Sequence, residues 1–252
     1  MKLQRINLTP KQLLSIPDEE RSLIVVLGHA LNEINTLNKL LFLCAHFNHE
    51  PRWLAHAHSS QAYAIARPLV GKLNEAWDVA RKGYFGTKLS KSYKGNLEPS
   101  VINALDYLKS YFGRKNLICD VRNNFAFHYS LEHAKTSVPE NATSDDLTIY
   151  LHSTNGNSLY FFAEYLMNKA LIETISPMDA EKALGIFFDE MSKVIANLNE
   201  FVQWLIFVVL DKYIGVDRLR DATETVELDK VPQSSEIHIP FFFEVSQPDA
   251  RG

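Results

Sequence analysis

Apolar residues recur every three or four positions through most of this 252-residue chain, and this spacing favours a helical fold. In the segment after Pro17, the apolar positions are Leu23, Leu27, Leu31, Ile34, Leu37 and Leu41. They share one face of an α-helix, which must be buried against other helices. The acidic residues at 18–20 suit the first turn of this helix, because the helix dipole favours negative charge there. Pro51 is expected to follow its end.

Further helices are predicted over four segments, at about 53–85, 99–113, 114–130 and 176–215. Pro68 should kink or split the first of these, since proline lacks the N–H donor that a helix interior needs. Near the N-terminus, Thr9 and Gln12 have the spacing of a capping box at the start of a short helix.

Two runs of strand-forming residues, at about 147–152 and 159–162, flank the dipeptide Asn155-Gly156, which is typical of hairpin turns. We therefore predict a small β-hairpin at about 147–163, inserted before the last helix. The predicted fold class is mainly α, a helical bundle with long helices. Residues 1–216 form a single domain in this prediction, and residues 217–252 form an extended tail.

Composition and charge bound the classes of function. The chain is 46% apolar and 22% charged, as is usual for a soluble globular protein. A net charge of −4 argues against a general nucleic-acid coat or a binder of anionic membranes. Residues 81–122 nevertheless carry nine Lys and Arg against three Asp and Glu, a local excess of six positive charges. Such a patch is compatible with a ligand that bears phosphate.

The cysteines and the apolar runs indicate a cytoplasmic protein. The two cysteines, Cys44 and Cys119, are too few for a disulfide framework or a zinc site, and they are expected to be buried thiols in a reducing compartment. Residues 1–10 lack a secretory signal. The longest apolar run, Leu205–Leu210, is far too short to span a bilayer. We therefore predict no membrane partner.

The strongest functional pattern is Arg122-Asn123 followed by His128, in a predicted helix. Histidine transfers protons near neutral pH, and arginine binds phosphate through parallel hydrogen bonds. These two groups are sufficient in principle to cleave RNA without a metal ion. A base removes the proton of a ribose 2′-hydroxyl, and a fixed positive charge stabilises the phosphorane that forms when its oxygen attacks the phosphate.

This segment resembles the signature of the HEPN superfamily (higher eukaryotes and prokaryotes nucleotide-binding), in which Arg, usually followed by a polar residue, precedes His by four to six positions. The resemblance covers the motif and its helical setting. It implies a metal-independent endoribonuclease without a cofactor, of the kind found among toxins and defence proteins, with RNA as partner. We assign His128 to proton transfer and Arg122 to phosphate stabilisation. Asn123 would orient the substrate or the histidine, and Tyr129 is a further candidate.

The spacing of the motif raises a question of geometry. Six residues at about 100° each place Arg122 and His128 about 120° apart on a regular helix. An irregular helix, the length of the side chains, or two copies meeting across a dimer could each bring them to one phosphate. The family resemblance implies the last of these, a homodimer in which both motifs line one cleft. An antitoxin or another regulatory protein is a further candidate partner.

The basic segment upstream of the motif is the predicted RNA-binding surface. Its lysines surround two tyrosines on which unpaired bases could stack. The candidate RNA-binding residues are Lys82, Tyr84, Lys88, Lys91, Tyr93, Lys94, Arg114 and Lys115.

Two alternatives remain open at this point. One is a catalytically inactive helical module that binds a partner protein or a nucleotide, since it would need the same bundle. The other is a metal-dependent hydrolase, in which imidazoles hold zinc or another transition metal. Its candidate ligands would be His46, His49, His56 and His58.

Overall fold

The structure, a computed structural model, describes residues 1–44, 51–123, 138–176 and 180–244. Over these residues the protein is mainly α-helical, which confirms the predicted fold class. The helices are α1 (Pro10–Leu14), α2 (Asp18–Cys44), α3 (Arg52–Ala80), α4 (Leu89–Ser92), α5 (Pro99–Phe112), α6 (Leu117–Val121), α7 (Phe161–Ile175), α8 (Ala180–Ile214) and α9 (Val216–Asp221). The strands are β1 (Lys2–Ile6) and β2 (Thr223–Glu227).

Local chemistry sets several helix boundaries. The Thr9 side chain accepts a hydrogen bond from the Gln12 backbone at 3.2 Å, and the Gln12 side chain accepts one from the Thr9 backbone at 2.8 Å. The predicted capping box is therefore confirmed. Pro68 lies inside α3, and the helix continues through it, so the chain is not split there. Beyond α3, a π-helical turn, Arg81–Phe85, carries the chain into the basic segment.

The two longest helices, α2 and α8, pack side by side in the bundle. Glu20 contacts Lys212, and Asn35 contacts Asn199. Residue numbers therefore increase along α2 in the direction in which they decrease along α8. The two helices are therefore antiparallel. The side-chain amides of Asn35 and Asn199 exchange hydrogen bonds of 2.9 and 3.0 Å, which satisfies both groups in a half-buried position. Helix α3 packs against α2, and α5 packs against α8.

The hydrophobic core lies between α2, α3, α5 and α8. Its fully buried members include Leu27, Ile34, Leu69, Leu73, Leu108, Phe187 and Phe201. The Lys182–Ile214 part of α8 is long and apolar enough to cross a membrane by length and composition alone, and 44% of its most apolar window is buried inside the protein. A core helix of a soluble protein passes the same test, and here α8 contacts α2, α5 and α7.

The segment predicted as a hairpin is smaller than expected and leads into a helix that the sequence did not reveal. Tyr150 and Leu159 form one antiparallel bridge with two N–H···O bonds of 2.8 Å. A 3-10 turn, Asn155–Asn157, connects the two sides. The second predicted strand, at about 159–162, is shorter than expected, because α7 begins at Phe161. Short apolar runs fit a strand or a buried helix equally well, and contacts with the rest of the fold decide between them.

The only sheet among the described residues joins the N-terminal strand to the strand that follows α9. Strands β1 and β2 pair antiparallel from Lys2 opposite Glu227 to Ile6 opposite Thr223. The segment predicted as an extended tail thus contains α9 and β2 before it becomes irregular. Strand β1 was not predicted, since its partner lies more than two hundred residues away.

Candidate active site

Helix α6 places Arg122 at the surface of α3. The side-chain oxygen of Asn116 accepts a hydrogen bond from the Cys119 backbone at 2.9 Å, which caps the start of α6. Ile118 and Val121 are buried and attach the helix to the core. The backbone turns from α-helical to π-helical at Arg122 and Asn123. The helix is therefore irregular where the motif begins, which is one of the three arrangements considered from the spacing.

The guanidinium of Arg122 is held by two neighbours. Its Nη2 lies 2.8 Å from Glu75 Oε1 on α3, and its Nη1 donates to Asn123 Oδ1 at 3.1 Å. Its Nε is buried without a hydrogen-bond partner. The side chains of Arg122 and Glu75 are 37% and 54% exposed, so the ion pair remains accessible to solvent and to an incoming anion.

The arrangement gives Asn123 and Glu75 roles that the sequence had not assigned. Asn123 was predicted to orient the substrate or the histidine, and in this structure it accepts a hydrogen bond from Arg122. Glu75 was not predicted at all, because it lies 47 positions earlier in the chain and no motif marks it. His128 and Tyr129, the other predicted catalytic residues, lie outside the described residues.

Four lysines of the basic segment, Lys82, Lys88, Lys91 and Lys94, are exposed, which an RNA-binding surface would require. None of them forms an ion pair within the described part of the chain. Lys82 follows Glu75 by seven positions along α3 and its continuing turn, a distance of about 10 Å at 1.5 Å per residue. The unpaired positive charge of Lys82 therefore lies about two helical turns from Glu75, the partner of Arg122.

Tyr84 and Tyr93 correct the prediction that bases stack on this segment. Their side chains are 1% and 2% exposed, so neither ring is accessible to a base. Tyr84 lies edge-on against Phe201 of α8, with ring centroids 5.2 Å apart. The Tyr93 hydroxyl donates to Glu20 at the start of α2. Both tyrosines anchor the basic segment to the bundle and leave its lysines at the surface.

Arg114 and Lys115 lie at the turn between α5 and α6, and both are exposed. They line a cleft of about 380 Å³ that also contains Asp120 and Glu190. Lys115 pairs with Asp120 at 3.5 Å. Burial and the hydrogen bond to Glu190 raise the pKa of Tyr111. The cleft thus has charges of both signs, and Arg114 is its better candidate for phosphate contact.

The histidine cluster is only partly described. His46 and His49 lie outside the described residues. His56 is buried, and its Nδ1 lies 3.0 Å from the Tyr150 hydroxyl. Its ring stacks on Phe161 at 3.6 Å. The Nδ1 of His58 is buried without a partner. Over the described ranges, no three His, Cys, Asp or Glu side chains are grouped to hold a metal ion.

His56 makes the stability of this region depend on pH. Burial, aided by the nearby charge of Arg52, lowers the pKa of His56 from 6.5, and Asp145 and Asp146 oppose this in part. As the pH falls below about 6.5, His56 therefore takes up a proton in the unfolded chain before it does so in the folded protein. The contribution of neutral His56 to stability is present above that pH and is lost as the pH falls through the folded-state pKa.

Acid is thus expected to lower the melting temperature of the wild type more than that of His56→Phe, which keeps an aromatic ring against Phe161. Thermal unfolding between about pH 7.5 and pH 5 measures this difference. Tyr160→Phe, at an exposed position next to Phe161, provides the control, because it removes no imidazole and should keep the pH dependence of the wild type. Parallel curves for the wild type and His56→Phe would contradict the role of His56.

Comparison of the chain with family models, with curated proteins and with solved structures finds no match. The geometry of the described residues and the chemistry of the motif are therefore what indicates a function for this chain.

Proposed function

We propose that this protein is a metal-independent endoribonuclease of HEPN type, in which His128 transfers protons and Arg122 stabilises the phosphate. The observation that carries the proposal is the position of the Arg122 guanidinium. It lies at an accessible surface, held between Glu75 and Asn123, and Glu75 lies about 10 Å along the helix from Lys82, the first of four exposed lysines. A phosphate bound there would meet one fixed guanidinium.

Glu75 is compatible with phosphate binding because its ion pair with Arg122 is weak enough to exchange. An exposed pair of this kind contributes about 0–1 kcal/mol. A phosphate that accepts two parallel hydrogen bonds from the guanidinium can therefore displace Glu75 from Nη2 at little cost. In the absence of RNA, Glu75 keeps the guanidinium aligned.

The proposed reaction needs no external reactant. A base accepts the proton of the ribose 2′-hydroxyl, and the 2′-oxygen forms a new bond to the adjacent phosphorus. The bond from phosphorus to the 5′-oxygen breaks, and that oxygen takes up a proton. The products are one RNA fragment with a 2′,3′-cyclic phosphate and one with a 5′-hydroxyl. We assign the proton transfers to His128, and the negative charge that builds on the phosphate to Arg122.

A homodimer in the cytoplasm is the setting that we propose for this reaction. The family resemblance implies a homodimer, in which a two-fold contact would bring two motifs to one cleft. An antitoxin or other regulatory protein would restrain the activity.

The test is incubation of purified protein with mixed cellular RNA in excess EDTA, followed by analysis of the product ends. Cleavage that persists in EDTA and leaves cyclic phosphates is the expected result. Cleavage that EDTA abolishes would favour the metal-dependent hydrolase instead. Intact RNA, when the protein is demonstrably folded and a broad range of RNAs is supplied, would favour the inactive binding module.

A further inference from the structure

The C-terminal segment 240–244 lies in an aromatic cleft that the proposed reaction does not use. The ring of Phe242 lies 5.7 Å from Trp53 and 6.3 Å from Tyr150, measured between centroids. Phe241 and Phe242 also pack against the small cluster of Ala57, Leu159 and Phe161. This cluster is separate from the main core of the bundle.

Asn157 recognises the backbone of the segment. Its Oδ1 accepts a hydrogen bond from the Phe243 N–H at 3.1 Å, and its Nδ2 donates to the Phe243 carbonyl at 2.6 Å. Asn157 itself is buried. One side-chain amide thus satisfies both backbone groups of a single residue, as a neighbouring β-strand would. Such contacts fix the position of the backbone at Phe243, and the aromatic neighbours select the side chains that precede it.

The segment is attached to the cleft without being part of the core. Phe241 and Phe242 are half-buried, and Phe243 is exposed. Residues 228–239 connect it to β2 and contain one 3-10 turn, Ser234–Glu236. Between the segment and the bundle remains a cleft of about 440 Å³, which Trp53, Tyr150 and His152 line on one side and residues 242–244 of the segment line on the other. The segment can therefore leave the cleft while the helices stay packed.

We infer that this cleft is a peptide-binding site for a segment with two adjacent aromatic residues, and that the chain occupies it with its own residues 240–244. The partner is a protein that carries such a segment and competes with the internal one. The inference is independent of the proposed reaction. Trp53 lies 22 residues before Glu75 on α3, about 33 Å along the helix.

The test uses a fluorescent peptide with the sequence of residues 238–244 and the full-length protein. The tethered segment competes at an effective concentration in the millimolar range, so the wild type should bind the peptide weakly. Phe242→Ala weakens the internal competitor, and we expect it to bind the peptide at least about tenfold more tightly. Phe207→Ala removes an exposed phenylalanine on α8 and should behave as the wild type does.

Two further measurements make the result specific. The same peptide with alanine in place of its middle phenylalanine should lose binding to the Phe242→Ala protein. Trp53→Ala, added to Phe242→Ala, should also weaken peptide binding by at least about tenfold, since Trp53 is a half-exposed wall of the cleft. Equal affinity for the wild type and Phe242→Ala, or no binding to either, would overturn the inference. Dimerisation of the wild type that Phe242→Ala abolishes would overturn the choice of partner, which would then be a second copy.

Discussion

Alanine in place of His128 is expected to reduce RNA cleavage in EDTA by about 10²–10⁴-fold, the range for loss of a general acid or base. Arg122→Ala should cost about 10²–10³-fold, as for loss of one group that stabilises transition-state charge. Initial cleavage rates at saturating RNA measure both effects. Arg122→Lys should recover only part of the loss, because an ammonium keeps the charge but cannot make parallel hydrogen bonds.

The matched control for this prediction is Arg81→Ala. Arg81 lies just beyond α3 and pairs with Asp78 at 3.0 Å, so it resembles Arg122 in charge, exposure and type of partner. Its replacement should leave cleavage within a few-fold of the wild type. Comparable losses in Arg81→Ala and Arg122→Ala would point to general electrostatic binding. Full activity in a folded His128→Ala protein would show that the catalytic assignment is wrong.

Glu20→Ala is expected to destabilise the fold by about 3 kcal/mol, the second large effect. Glu20 is buried at the first turn of α2 and accepts hydrogen bonds from Tyr93 and Tyr213. Lys212 Nζ lies 3.2 Å from the same carboxylate. Alanine would leave the two hydroxyls without their charged acceptor. Lys212 is less affected, since its side chain is half-exposed and can be hydrated.

Chemical denaturation measures this change, with Glu19→Ala as the control. Glu19 is the exposed neighbour of Glu20 in the same helical turn, and its loss should alter the free energy of unfolding by less than about 0.5 kcal/mol. Equal stability of the two variants would contradict a structural role for the buried carboxylate.

The Glu20 network also bears on the candidate active site. Its bond to Tyr93 ties the basic segment to the ends of α2 and α8. Burial, together with the hydrogen bond to Glu20, raises the pKa of Tyr93, so the hydroxyl keeps its proton and remains a donor. We therefore expect Glu20→Ala to loosen the segment that carries Lys88, Lys91 and Lys94, in addition to its effect on stability.

Local signals in the sequence were enough to predict the long helices α2, α3, α5 and α8. The apolar spacing of α2 and the capping box at Thr9 act within a few residues, so each can be interpreted without knowledge of the fold. The accessible lysines of the basic segment were also predictable, because lysine side chains are almost always at the surface.

The sequence could not determine contacts between distant segments. An irregular segment has no periodicity to show which side chains face inward, so the burial of Tyr84 and Tyr93 became evident only from α8 and α2 packing against them. The helical state of α7 depended in the same way on its neighbours.

By itself, the sequence determined the helical class, the main helix boundaries and the Arg122 motif, because periodicity, capping and side-chain chemistry are local properties. Only the tertiary structure decided that Glu75 binds Arg122, that β1 pairs with β2, and that Asn157 forms hydrogen bonds with the backbone of Phe243. Each of these contacts joins residues at least 47 positions apart. Contacts of this kind form only when the packed bundle brings separate segments to the same place.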